Sequence, residues 1–223
     1  MKRVTSIIAA VMLCISFFCS SGLRSVYGEE YYDILYVWNS DTSTISTWTN
    51  SYFNISAVRM DVGPSFYTYF MQGILNSASE WSSVVGSYPI VTAYESDTAT
   101  FKVFGGTVSE LQTTVYFSSY TFLPGVYGTT KVLTEPSYFC DYGYYNGSSY
   151  STKYGYHMGS VVVAVVNRTG ASENRIKCTC LHEIGHALGW DGHSTGDSDV
   201  MTSSPTDLTS LTNRDKAHLS QVY

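Results

Sequence analysis

The run HEIGHALGWDGH, His182 to His193, constrains the local fold more than any other part of the chain, because three imidazoles and a carboxylate have to be presented together. On a helix His182 and His186 stand at i and i+4, so both leave the same face one turn apart and can share one cation. Glu183 lies beside them, available as a base. Ile184, Ala187 and Leu188 seat such a helix on a core while the imidazoles face a cleft. Gly189 is the expected stop, since a residue free to take positive φ lets the chain turn sharply and bring a third ligand beneath the metal. His193 is the expected third ligand, with Asp191 the alternative and a site lacking a third protein ligand the remaining case. Imidazole is the commoner neutral ligand of zinc.

Together with Met201 further on, these residues resemble the metzincin zinc peptidases, the matrixin branch most of all. The family pattern is HExxHxxGxxH followed by a Met-turn, and His182, Glu183, His186, Gly189 and Met201 match it. Trp190, Asp191 and Gly192 separate Gly189 from His193 where the family usually has two residues. That spacing resembles a bacterial matrixin-like variant, HExxHxxGxxGH, in which Gly192 absorbs the extra residue as a small bulge.

The resemblance implies an α+β, zincin-like catalytic domain: a twisted mixed β-sheet with a long helix, an active-site helix and a C-terminal helix. It implies that His182, His186 and His193 hold one catalytic Zn²⁺, leaving the fourth position open to water. Glu183 then takes the proton of the attacking water and delivers it to the leaving amine. Met201 is a packing floor, not a ligand. Ser194 is expected to orient the last ligand or the turn, while Asp199 and Thr202 carry no assigned role. By the same analogy the stretch from Thr202 to Asn213 walls the main specificity pocket.

The implied activity is that of a zinc endopeptidase acting on protein or peptide. Zincins that complete the site with a later glutamate are excluded, because no Glu follows Ile184. Two other readings stand beside this one: a non-catalytic zinc-binding or adhesin-like protein on the same fold, and a zinc hydrolase of a non-peptide amide. Glu183 beside intact ligands favours the enzyme, and the third reading rests on shared chemistry alone.

At 223 residues the chain fits one domain with a sizeable core. Lys2 and Arg3, an apolar run from Val4 to about Cys19 and small residues up to Gly28 read as a secretory signal over residues 1–28, ahead of a catalytic domain over residues 29–223. The apolar run is too short and wrongly flanked for a membrane span, and no later segment replaces it. Phe17 and Phe18 argue against a lipoprotein at Cys19. The expected location is therefore extracellular, with attachment to the cell envelope left open, and the expected state a monomer.

Loss of residues 1–28 removes Lys2, Arg3 and Arg24 but no acid, taking the charge from −6 to −9. That argues against nucleic acid as a partner. Cys140, Cys178 and Cys180 then remain, leaving room for one disulfide from Cys140 to Cys178 or Cys180 with one thiol over. Cys178 and Cys180 read as structural rather than metal-binding. No cysteine lies between the signal and Tyr31, so secretion in an active form is expected, in contrast to animal matrixins held latent by a propeptide cysteine.

Tyr31–Trp38 reads as the first strand, followed by a Ser/Thr/Asn-rich connection. Phe66, Tyr69, Phe70, Ile74, Leu75, Ala78 and Trp81 recur at helical spacing after Pro64 and Ser65, which predicts an amphipathic helix over residues 66–81. Strands are expected at Ile90–Tyr94, Thr100–Phe104, Thr113–Phe117 and Ser160–Asn167, the last buried on both faces. A short helix is expected within Leu211–Tyr223, capped by Thr212 or Asn213 and packed through Ala217, Leu219 and Val222. The segment from Ser137 to Gly159 holds seven tyrosines and reads as a surface loop or hairpin, with a glycan- or substrate-facing rim as the sharper alternative. His157 and His218 are isolated and read as structural. Asp141 and Asn146 offer oxygen to calcium, but nothing has EF-hand spacing and no Ca²⁺ site is assigned.

Overall fold

A computed structural model describes residues 44–48, 53–60, 63–86, 89–134, 137–145, 150–190, 192–194, 198–204, 206–220 and 223. The expected signal, the strand at Tyr31–Trp38, Asp191 and Val222 lie outside them, as do the side chains of Cys140, Asp141 and Asn146. The chain is α+β. Its larger sheet has the order β3-β2-β4-β8-β5, built from β2 (Asn54–Arg59), β3 (Ile90–Thr92), β4 (Phe101–Gly106), β5 (Gly128–Val132) and β8 (Val161–Val166). β2 pairs in parallel with β3 and β4, and β4 with β8, whereas β5 runs antiparallel to β8 along one edge. A smaller sheet joins β1 (Thr44–Thr47) to a hairpin of β6 (Ser137–Tyr145) and β7 (Tyr150–His157).

The central strand, VVVAVV, is buried throughout, as a strand covered on both faces must be. Alternate residues enter two cores. Val161, Val163 and Val165 face a core that also takes Phe101 and Val103 and two helices, α1 (Pro64–Val85) and α3 (Glu173–Ala187). Val162, Ala164 and Val166 face a second core with Phe104, Leu111, Phe117 and Phe122.

That second core explains why Thr113–Phe117, expected as a strand, is not one. Thr107 and Glu110 form a capping box that starts the short helix α2 (Val108–Leu111). The amides of Thr113, Thr114 and Phe117 then bond to carbonyls three residues back, using up the donors a ladder needs. Alternation survives, with Val115 exposed and Phe117 fully buried, but it is met by turns that plug Phe117 under the sheet. The Ser/Thr/Asn-rich connection in turn holds β1 and β2, and the Tyr-rich segment is a hairpin. The C-terminal helix, α4 (Asn213–Leu219), is shorter than its expected span and is capped by Thr212; Ala217 and Leu219 are buried.

Helices α1 and α3 cross closely because position 73 has no side chain. A β-carbon there would lie 2.7 Å from Cys180 Sγ and 3.1 Å from the Lys177 α-carbon. Trp81 adds a tie, its Nε1 donating to the Leu181 carbonyl at 2.9 Å. Cys178 and Cys180 are buried free thiols, which corrects the expected disulfide: α3 turns both into packed surroundings, Cys180 against Gly73 and Cys178 beside Thr206 Oγ1. We predict that Gly73→Ala destabilises the protein by about 1–3 kcal/mol through overpacking, read as a lower denaturant midpoint at unchanged slope. Adding Cys180→Ala should recover part of the loss by removing the closest contact. An unchanged midpoint in Gly73→Ala would contradict this packing.

Candidate metal centre

Helix α3 starts at the Ser172 cap and buries Ile176, Cys180, Leu181, Ile184 and Ala187 against the sheet and α1. That burial fixes the opposite face, where His182 and His186 stand one turn apart with rings 4.7 Å between centroids. The helix ends at Ala187, with Leu188 as its cap, and Gly189 follows at φ 112°. The amide of Trp190 then reaches back to the Gly185 carbonyl at 3.2 Å. Gly192, at φ 68°, makes a second left-handed turn and returns the chain to His193.

Hydrogen bonding fixes the protonation of the first two imidazoles. His182 Nδ1 lies 2.8 Å from the Val200 carbonyl and His186 Nδ1 lies 2.8 Å from the Trp190 carbonyl. A carbonyl only accepts, so each Nδ1 carries a proton and each neutral ring presents a bare Nε2. Those two lone pairs face each other at 3.0 Å, an arrangement that calls for a cation between them. Two nitrogens about 2.0–2.1 Å from a tetrahedral zinc are about 3.3 Å apart, so the pair needs to open by only a few tenths of an ångström.

His193 completes the group. The three ligand atoms lie within 4.8 Å of one another, and no other such cluster of three or more His, Cys, Asp or Glu occurs among the described residues. His193 is the exposed member.

Burial pushes His182 down from 6.5 to about 4 and His186 well below its usual value, so both are neutral donors at pH 7. His193 is lowered in the same way. Glu183 is nearly covered, and burial raises its carboxyl from 4.5 to about 8, against a lowering hydrogen bond from Thr130. Thr130 Oγ1 sits 2.7 Å from Glu183 Oε2 and 2.9 Å from the Glu183 carbonyl. Strand β5 comes this close because residue 128 is glycine; a β-carbon there would meet Glu183 at 2.6 Å.

Beneath the centre, Met201 is fully buried, and position 185 has to be glycine to admit it, since a β-carbon would approach its sulfur to 2.5 Å. Ser194, next to His193, is tied to the segment around Met201. Its amide donates to the Met201 carbonyl at 2.7 Å, and its hydroxyl donates to Asp199.

Asp199, Thr130 and Asp215 are the residues that sequence reasoning left without a role. Asp199 is buried, pairs with Arg214 Nε at 2.9 Å and accepts from Thr212 Oγ1 at 3.0 Å. Asp215 accepts from the amides of Val200 at 3.0 Å and Met201 at 3.2 Å, so it places the carbonyl that orients His182. A signal for Asp215 was present in Thr212-x-x-Asp215, a capping-box spacing. Nothing local marks Thr130, whose partner lies 53 residues away.

His218 stacks on Trp190 at 4.3 Å, and His157 ends β7; neither joins the cluster. The centre opens into a cleft of about 910 Å³ between β5 and the segment around Thr202, Ser203, Ser204 and Thr206. No helix among the described residues is long and apolar enough to cross a membrane. No family model matches the chain, and no curated protein matches it.

The shifts set opposing trends in the metal-free chain. His182 is depressed on folding, so its contribution is complete above pH 6.5 and is lost as pH falls from 6.5 towards 4; His186 acts in the same direction. Glu183 is raised on folding, so its contribution declines as pH climbs from 4.5 to 8. Two histidines outweigh one glutamate on the acid side. Chelator-treated protein should therefore melt highest near pH 6.5, and Glu183→Gln should abolish the alkaline decline while steepening the loss on the acid side. A melting temperature independent of pH between 4.5 and 8 would contradict this assignment.

Proposed function

We propose that the chain is a secreted, zinc-dependent endopeptidase of the metzincin, matrixin-like type, with residues 1–28 as its export signal. The observation that carries the reading is the pair of bare Nε2 atoms 3.0 Å apart, with a third imidazole and a buried carboxylate at the same cleft. Three neutral nitrogen donors suit zinc, and three protein ligands leave a position open, as in catalytic rather than structural sites. Neither cysteine competes, since Cys178 and Cys180 lie outside the cluster.

Bound zinc supplies Lewis acidity, polarising a scissile carbonyl and bringing the pKa of a water towards about 7. The protein groups do the rest. His182 and His186 are held at fixed orientation by the Val200 and Trp190 carbonyls, so the donor set is arranged in advance. Glu183 takes a proton at its carboxylate oxygen from the attacking water and passes it to the leaving nitrogen. Its pKa near 8 in the metal-free chain falls once a cation is close, placing it in the range useful to a base near neutral pH. Strand β5 and the Thr202–Thr206 side bound the cleft in which a peptide lies.

The test is cleavage of a mixed peptide library by purified protein with zinc, with chelator, and with Glu183→Gln. Cleavage should stop with chelator and fall by on the order of 10²–10⁴-fold in Glu183→Gln while zinc stays bound. Zinc binding without any cleavage by the wild-type chain would instead favour the non-catalytic binding protein.

A further inference from the structure

We infer that the cleft selects a carboxylate on the substrate and that Arg175 is the group that recognises it; this rests on the peptidase reading above. The cleft follows α3 away from His186 and His193, past Thr179 to Arg175. Arg175 and His182 are seven residues apart, which at 1.5 Å per residue sets the guanidinium's helix position about 10 Å from the first ligand. The charged side chains lining this space are Glu183, Lys131 and Arg175. With Glu183 committed to the centre, both remaining charges are positive, on a chain whose net charge is −6.

Of the two cations, Arg175 is the better built for recognition. The Lys131 ammonium donates to the Tyr116 carbonyl at 2.8 Å. Arg175 is about one-fifth exposed, and its position is fixed by two contacts: Nε donates to Asp207 Oδ1 at 2.7 Å, and the guanidinium lies 5.3 Å from the centre of the Tyr127 ring. Those contacts occupy one edge and one face. The Nη edge donates to no described residue, and a guanidinium edge held rigid in this way matches a carboxylate in two-point geometry. Asp207, half exposed and outside the cleft lining, offsets part of the positive charge. The expected selectivity therefore comes from hydrogen-bond geometry and is moderate.

A span of about 10 Å is reached by a glutamate side chain about two residues beyond the scissile bond, since two residues of extended chain cover about 7 Å. It is also reached by a main-chain terminal carboxylate about three residues on, at about 3.3–3.6 Å per residue. The chemistry is the same, and the test separates the sources.

Zinc-loaded Glu183→Gln protein is titrated with fluorescent peptides that carry Glu or Gln at each position in turn, all C-terminally amidated. A further all-Gln peptide has a free C-terminus. One position of Glu, or the free terminus, should bind on the order of tenfold more tightly than its neutral counterpart. Adding Arg175→Gln should erase the preference, adding Arg175→Lys should keep part of it, and adding Asp207→Asn should enlarge it. Equal binding of acidic and neutral peptides, no binding by any peptide, or a preference that survives Arg175→Gln overturns the inference. Cleavage by the wild-type chain is read separately. Cleavage without acidic preference overturns this inference alone, whereas acidic preference in binding without any cleavage overturns the peptidase reading and leaves the carboxylate site standing.

Discussion

Two hydrogen bonds from imidazole to main-chain carbonyl govern this molecule's chemistry. By accepting hydrogen bonds from the Nδ1–H groups of His182 and His186, the carbonyls of Val200 and Trp190 leave two Nε2 lone pairs aimed at one point. Each carbonyl is placed by a separate device. Trp190 is turned under His186 by the left-handed glycine at 189, and Val200 is held by the buried Asp215 reaching up from the C-terminal helix. Met201 fills the space beneath, admitted by a glycine on the helix above it. The C-terminal helix is thus part of the centre although it contributes no ligand.

The sheet supplies the other wall. Its buried central strand carries β5 on its antiparallel edge, and β5 approaches α3 closely enough for Thr130 to bond the Glu183 carboxyl. A carboxyl enclosed in this way is costly to ionise in the metal-free protein, and a nearby cation would offset that cost. The proposed zinc binding and peptidase chemistry both draw on this one coupling between a neutral donor set and a buried acid.

Much of this was legible in the sequence. The i, i+4 histidines, the glycine stop and the displaced third histidine could be read because they depend on local helix geometry and backbone freedom. The long helix after Pro64 and the valine strand could be read because their periodicity reflects burial on one face or on two. What could not be read depended on distant partners. Thr113–Phe117 has a strand's alternation, yet its amides are spent on turns and Phe117 is drawn into a core that forms only with Phe104 and Val162 in place. β2 and β5 were hidden because polar and glycine residues replace the apolar run, and their pairing comes from neighbours. Thr130 and Asp199 acquire roles only when segments far apart in the chain meet.

The most direct measurement is X-ray absorption on the zinc-loaded protein, together with the number of ions bound per chain. The account predicts one zinc held by three imidazole nitrogens at about 2.0–2.1 Å with a further light-atom ligand and no sulfur. Replacing His193 should remove one of the three imidazole contributions. Failure to bind a stoichiometric ion, or sulfur at about 2.3 Å in the coordination shell, would contradict it.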